Sequence, residues 1–153
     1  FEPENPIITT ATVGSKNPVY CTSLGKAILA CTDQETRERG IDRIHFRQKT
    51  VRTIMSAEYL LEELEKVKEK GYALDARELE DHMECVGAPV YNQEGQVLGA
   101  ISASSLYKPT EDYDALGVVV KKQADEISRL LGYMENHTGL STIDPGGDEQ
   151  EKP

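Results

Sequence analysis

The sequence has few of the residues that build disulfide frameworks or metal centres. Its 153 residues include no tryptophan and only three cysteines, Cys21, Cys31 and Cys85. An odd number of cysteines, with no paired spacing of the kind that holds zinc, argues against both a disulfide framework and a structural zinc site. We therefore expect free thiols and no bound metal ion.

Long apolar runs and basic stretches are also missing. No apolar run is long enough to span a membrane, and the first residues lack the basic and apolar regions of a signal peptide. Lys and Arg number 17 against 27 Asp and Glu, for a formal net charge of -10. Because such a charge repels phosphate, the chain itself is not expected to bind nucleic acid. We expect a cytoplasmic protein with no membrane partner.

The remaining composition is that of one folded domain. Hydrophobic residues make up 38% of the chain and charged residues 29%, in the range of globular proteins. We place the domain at residues 1–134. Residues 135–153 are poor in apolar side chains and rich in Gly and Pro, which predicts a flexible C-terminal tail. Near the start, the β-branched run Ile7–Val13 predicts an edge strand.

A first helix is expected to begin near Ser23, with Thr22 or Ser23 as its N-cap. Its apolar spacing predicts a buried stripe, formed by Leu24, Ala27, Ile28 and Cys31. The first turn carries Lys26 and no acid. Free amides at a helix start and the positive end of its dipole can bind a carboxylate or phosphate, and Gly25 would let such an anion approach.

Three further helices are expected from their end signals. A short helix should run from Asp33 to Arg39 and end at Gly40, and a longer one should run from Ser56, its N-cap, to Gly71, its C-cap. A last helix should begin at the N-cap Thr110 and end at Gly132. Its expected buried stripe consists of Leu116, Val120, Ala124, Ile127 and Leu131.

Three strand-like runs lie between the last two helices: 71–75, 85–91 and 97–105. In the third run Ser102 and Ser104 share a face with small or apolar residues, because side chains alternate along a strand. Asp75 and Cys85 would enter from the two preceding strands, which predicts a pocket above the sheet. The alternative is that the Ser and Ala residues simply pack tightly. His45, between polar neighbours, is more typical of a surface residue than of a ligand.

Several stretches together resemble one family. They are Asn17-Pro-Val-Tyr-Cys-Thr-Ser-Leu-Gly-Lys-Ala-Ile-Leu-Ala30, Glu69-Lys-Gly-Tyr-Ala-Leu-Asp75, Cys85-Val-Gly-Ala-Pro-Val90, Gly95-Gln-Val-Leu-Gly-Ala-Ile-Ser-Ala-Ser104 and Ile127-Ser-Arg-Leu-Leu-Gly132. In this order and spacing they resemble the effector-binding domain of the IclR family of bacterial transcriptional regulators. The resemblance implies an α+β fold that is GAF-like or profilin-like, with a curved antiparallel sheet flanked by helices. Family members carry a winged helix-turn-helix domain ahead of it, so we expect this chain to be a fragment.

The resemblance also implies a site and partners. The effector would be a small carboxylate, such as an oxo acid or a sugar acid, and the domain would control DNA binding by the N-terminal domain as a homodimer or tetramer, without a cofactor. The implied effector-binding residues are Ser23 and Leu24, through their amides, with Asp75, Met83, Cys85, Ser102 and Ser104. Serine hydroxyls and helix-start amides suit a carboxylate, whereas an ionised Asp75 can only accept hydrogen bonds and would meet a ligand hydroxyl.

Two other functions stay open. GAF-like domains can perform cysteine redox chemistry such as methionine sulfoxide reduction, and the chain has cysteines near the expected pocket. Catalysis would require a resolving cysteine or a base beside the thiol, and neither His45 nor His82 has a spacing that demands this role. The sensor is therefore favoured over the enzyme. The third possibility is a dimerisation domain whose pocket is vestigial.

Overall fold

The computed structural model describes residues 13–134. The edge strand expected over 7–13 lies outside the described residues except for Val13, and so does the whole of the expected tail at 135–153. The described elements follow one another in the order α1 Ser23–Cys31, α2 Gln34–Asp42, α3 Ala57–Lys70, β1 Ala73–Ala76, β2 Met83–Tyr91, β3 Val97–Leu106 and α4 Tyr113–Leu130, with a short 3-10 helix, Val19–Cys21, ahead of α1.

The three described strands form one antiparallel sheet in the order β1-β2-β3, so each strand pairs with its neighbour along the chain. One apolar core, which includes Ala27, Leu60 and Leu64, joins α1 and α3 to one face of the sheet. A second core, which includes Val86 and Val120, joins α4 to the other face. This confirms the α+β class with helices on both sides of an antiparallel sheet.

Local signals set both ends of α3. The Ser56 hydroxyl accepts a hydrogen bond from the Tyr59 amide at 3.2 Å, and Gly71 ends the helix in the left-handed conformation at φ 77°. Helix α2 begins at Gln34, one residue later than expected, with Asp33 as its N-cap, and it does not end at Gly40. It continues to Asp42 because Ile41 is buried in the core on the α1 side, and the helical turn carries that side chain inward.

The buried side of α1 differs from the expected stripe. Leu24 and Ile28 are 39% and 37% exposed, while the buried residues are Ser23, Lys26, Ala27, Leu29 and Ala30. Helix α1 packs against the sheet and also against α3, so it is covered on two sides, and a single apolar stripe does not describe its burial. A lysine occupies one of these buried positions.

Helix α4 begins later than expected and buries smaller residues. Its N-cap is Asp112, which accepts a hydrogen bond from the Ala115 amide at 2.9 Å, and not Thr110. Val120 and Ala124 are buried as expected, but Ile127 and Leu131 are exposed, and Gly117 and Ser128 are buried in their place. The helix lies too close to the sheet for larger residues: a Cβ at Gly117 would lie 2.3 Å from the ring of Tyr72.

Candidate functional site

Polar side chains from three strands form a row across one face of the sheet. The strand register places Asp75 opposite Cys85 and Cys85 opposite Ser104. Two residues further along β2, Gly87 lies opposite Ser102. The Ser104 side chain lies close enough to the Cys85 thiol to lower the pKa of that thiol. A carboxylate, a thiol and two hydroxyls therefore lie close together on the face that carries α1.

The start of α1 lies directly on this face, over Gly87. A Cβ at that glycine would be 2.9 Å from the Ser23 carbonyl carbon and 3.0 Å from the Leu24 nitrogen, so a larger residue would push the helix away. The first intrahelical hydrogen bond joins the Lys26 amide to the Thr22 carbonyl at 3.0 Å. The amides of Ser23 and Leu24 precede that bond and have no acceptor within the helix.

These groups surround a cavity of about 110 Å³. The sequence-predicted residues Ser23, Leu24, Asp75, Met83, Cys85, Ser102 and Ser104 all line it. The side chains of Ser102 and Ser104 are exposed, so they face the cavity and solvent and are not packed in a core. The tight-packing alternative therefore does not describe these two serines.

Four lining residues were not predicted as site residues: Asn17, Thr22, Leu79 and Glu80. Leu79 and Glu80 belong to the loop that follows β1, within a charged segment that resembles an ordinary solvated connection. Their nearness to Asp75 in the sequence could have identified them. A loop that returns beside a buried carboxylate must face the same cavity as that carboxylate.

The Asp75 carboxylate lies under opposing influences. It is 4% exposed, and burial, the larger influence, raises its pKa above the ordinary value. Its Oδ1 accepts hydrogen bonds from the amides of Glu78 at 2.7 Å and Leu79 at 3.3 Å, which lower the pKa. Burial likewise raises the pKa of the Cys85 thiol, so the thiol is neutral at pH 7 and can donate a hydrogen bond.

The described residues that line the cavity include two acids, Asp75 and Glu80, and no Lys, Arg or His. Lys26 does not line the cavity, because its side chain is buried against Glu78, but its positive charge lowers the pKa of Asp75. Nor does Gly25 serve an approaching anion: its Cβ would lie 2.5 Å from the Cα and carbonyl oxygen of Val19, so the glycine permits packing on the 3-10 helix. His45 and His82 are exposed and lie outside the lining.

Residues 1–129 match the family model for the bacterial transcriptional regulator IclR C-terminal domain. The chain belongs to the IclR family. This IclR-family domain is 32% identical over 123 residues to the HTH-type transcriptional regulator KdgR of Escherichia coli strain K12. The match covers 79% of this chain and 47% of that protein.

Solved structures show the same relationship. The crystal structure of the Thermotoga maritima IclR matches with a TM-score of 0.79 and 32% identity, over 87% of this chain and 55% of that one. The PobR inducer-binding domain from Acinetobacter, a double mutant in complex with 3-hydroxybenzoic acid, matches with a TM-score of 0.68 and 27% identity, over 76% of this chain and 71% of that one.

The relatives decide between the sensor and the enzyme. They are named as transcriptional regulators and repressors, so this IclR-family domain is an effector-binding domain and not an enzyme. The chain spans about half the length of the curated relatives that it matches, at 47% and 51% for two of them. None of the helices that the structure describes is long and apolar enough to cross a membrane.

Proposed function

We propose that the cavity binds a small monocarboxylate that also carries hydroxyl groups, such as a hydroxy acid or sugar acid. The observation that carries this proposal is the charge pattern of the lining. Amides at the start of α1 lie above Gly87, whereas the acids Asp75 and Glu80 line the same cavity with no cation among its described residues. A ligand carboxylate suits the amides, and ligand hydroxyls suit the acids.

The same pattern disfavours a second carboxylate on the ligand. A dianion would place its second charge near Asp75 and Glu80, in a cavity where no described lining residue could compensate it. Burying an unpaired charge is costly, and like charges repel. The PobR domain supports this proposal, because 3-hydroxybenzoic acid is a monocarboxylic acid with one hydroxyl group.

In the complete regulator, the bound effector would control DNA binding by an N-terminal domain. An effector that binds one arrangement of the subunits more tightly than another shifts the population toward it. The domain would act as a homodimer or tetramer, and the amides of Ser23 and Leu24, with Asp75, Met83, Cys85, Ser102 and Ser104, would hold the effector. The family membership supports this role.

Titration calorimetry with matched acids tests the proposal. Glycerate and gluconate have one carboxylate, while tartronate and glucarate are their counterparts with two. We expect measurable binding of at least one monocarboxylate and weaker binding of its dicarboxylate counterpart. Equal or tighter binding of the dicarboxylate would contradict the charge argument. If neither these acids nor 3-hydroxybenzoate and pyruvate bind at millimolar concentration, the vestigial pocket is the better description.

Ser102→Ala tests the position of the site. Loss of a hydrogen bond to a charged group costs roughly 1.5–3 kcal/mol, so affinity should fall about tenfold or more. Ser105→Ala is the matched control, because Ser105 lies on the same strand and its side chain points to the opposite face of the sheet. If both variants bind the ligand as the parent does, the site lies elsewhere.

A further inference from the structure

Lys26 is a fully buried lysine in α1. Its side chain is 0% exposed, and its Nζ lies 2.5 Å from Oε1 of Glu78 and 3.5 Å from Oε1 of Glu63 on α3. Taking a charge out of water is costly unless a partner compensates it, so the pair has to remain together in the folded domain. None of these three residues lines the cavity.

Glu78 connects this ion pair to the cavity. Its amide donates to the Asp75 carboxylate at 2.7 Å, and its carbonyl oxygen accepts a hydrogen bond from the Thr53 hydroxyl at 2.8 Å. The next two residues, Leu79 and Glu80, line the cavity. The position of Glu78 therefore determines where the loop 77–80 presents its lining residues.

Among the described residues, Lys26 is the main partner of the Glu78 carboxylate. Oε1 of Glu78 contacts Lys26, and the buried Oε2 has no hydrogen-bond partner in the described part of the protein. If the lysine were absent, a buried carboxylate would be left uncompensated. It would then have to take up a proton or move toward water, and movement would carry the loop with it.

The loop also begins at a strained residue. Arg77 has φ 63°, in the left-handed region that non-glycine residues rarely adopt. Its guanidinium lies 3.7 Å from the centre of the Tyr107 ring. Such a conformation costs on the order of 1 kcal/mol and persists only when surrounding contacts impose it. The loop thus depends on contacts made by other elements.

We propose that Lys26 is a positioning residue for the cavity: its ion pair with Glu78 holds the loop 77–80 against α1, so that Asp75, Leu79 and Glu80 face the start of that helix. The significance for effector binding rests on the proposed function. The role of the ion pair in the loop geometry does not rest on the proposed function, and it can be measured without any ligand.

Site-resolved amide hydrogen exchange by NMR tests this inference on the 153-residue chain. The parent is compared with Lys26→Met, which keeps the length of the side chain and removes its charge. The informative amides are those of Glu78 and Leu79, which are hydrogen-bonded to Asp75. Amides of Val120 and Ala124 in α4 report the opening of the whole domain, because both residues are buried in the second core.

We expect the loop amides to exchange at least about tenfold faster in Lys26→Met, while the α4 amides change much less. Alkylation of Cys85 by iodoacetamide should also accelerate, since the loop covers part of the cavity that contains the thiol. Glu63→Gln is the matched control: it removes the more distant acid of the same lysine and should leave the loop amides near their parent rates.

Two outcomes would overturn the inference. If loop and α4 amides accelerate by the same factor, Lys26 supports the fold as a whole and does not specifically position the loop. If the loop amides keep their parent rates, the ion pair is not what holds the loop. Should Lys26→Met fail to fold, Glu78→Gln provides the same comparison, because it keeps the shape of the side chain and removes the charge on the other partner.

Discussion

At Asp75, burial and hydrogen bonding change the pKa of one carboxyl group in opposite directions, and burial is the larger influence. The pKa in the folded domain lies above the ordinary 3.8, so between the two values the folded domain binds more protons than the unfolded chain. The contribution of Asp75 to the free energy of unfolding therefore falls as the pH rises through this window.

This pH dependence of the Asp75 contribution to stability gives a prediction for Asp75→Asn. The amide oxygen can still accept from the Glu78 amide, but the side chain no longer titrates. We expect the variant to gain stability relative to the parent as the pH rises from about 4 to about 7, measured by urea unfolding. Asp33→Asn is the control with the opposite trend, because the Thr36 amide lowers the pKa of Asp33. A difference between Asp75→Asn and the parent that does not vary with pH would contradict the assignment.

Ser104 offers a second prediction for a single residue. The side chain is exposed at the cavity, so Ser104→Leu should fill the space and abolish binding of any acid that the parent binds. The melting temperature should stay close to that of the parent, because the leucine would occupy a cavity and not packed atoms. A large fall in melting temperature without ligand would show instead that Ser104 is a packing residue.

Among the secondary-structure elements, β2 and the start of α1 lie in close contact at the site. Gly87→Ala should destabilise the domain by about 1–3 kcal/mol, because its Cβ would overlap the backbone at Ser23. It should also weaken effector binding by displacing the helix-start amides. Gly99→Ala on β3 is the matched control, since no atom lies within 4 Å of its added Cβ. Chemical unfolding of both variants checks the difference.

The N-cap of α4 gives another prediction at the same scale. Asp112→Ala should cost about 1 kcal/mol of stability, the usual value for the loss of a capping side chain. Thr110→Ala should cost less, because Asp112 and not Thr110 accepts the hydrogen bond from the helix. Equal effects on thermal unfolding would contradict this assignment of the cap.

These elements show how far the sequence could predict the structure. The ends of α3 were predictable because Ser56 and Gly71 act through neighbouring residues. The start of α4 was not, since Thr110 and Asp112 are both capping residue types and only the path of the chain selects between them. The burial of Lys26 was also beyond local signals, because its partner Glu78 is 52 residues away along the chain.

The candidate site was predictable to a similar extent. Strand alternation brought Ser102 and Ser104 together, and the free amides at the start of α1 indicated an anion site. Family resemblance placed these groups in one pocket and added Met83. Glu80 could not be found in this way, because its place beside the cavity depends on the turn after β1. The hydrogen bonds of Asp75 and Thr53 contribute to that turn, and the partners of Thr53 are distant in the sequence.

For the whole molecule, the charge predicts how the chain behaves with DNA. With a formal net charge of -10, we expect no measurable affinity for duplex DNA at physiological salt. Fluorescence anisotropy with labelled duplex DNA, at several salt concentrations, measures it. A rise in anisotropy that shows DNA binding, and that becomes smaller as the salt concentration increases, would contradict the prediction and indicate a basic surface.

Self-association is the second prediction at this scale. Val118, Val119 and Leu130 on α4 are 62%, 56% and 74% exposed, which is a large apolar surface for one helix to leave in water. We expect sedimentation equilibrium at high micromolar concentration to give a mass above that of the 17.0 kDa monomer. Leu130→Glu should shift the distribution toward the monomer. A parent that remains a monomer throughout would contradict the prediction.

Ser102 and Ser104 on β3 belong to neither apolar core. Natural selection can therefore act on them almost independently of folding: a descendant of this gene could acquire a different chemical signal by mutation at these positions while its scaffold stays intact. Substitutions of Gly87 would be eliminated by selection for folding, before any effect on ligand binding could be selected. Divergence among duplicated copies should accordingly begin on β3 and leave β2 nearly unchanged.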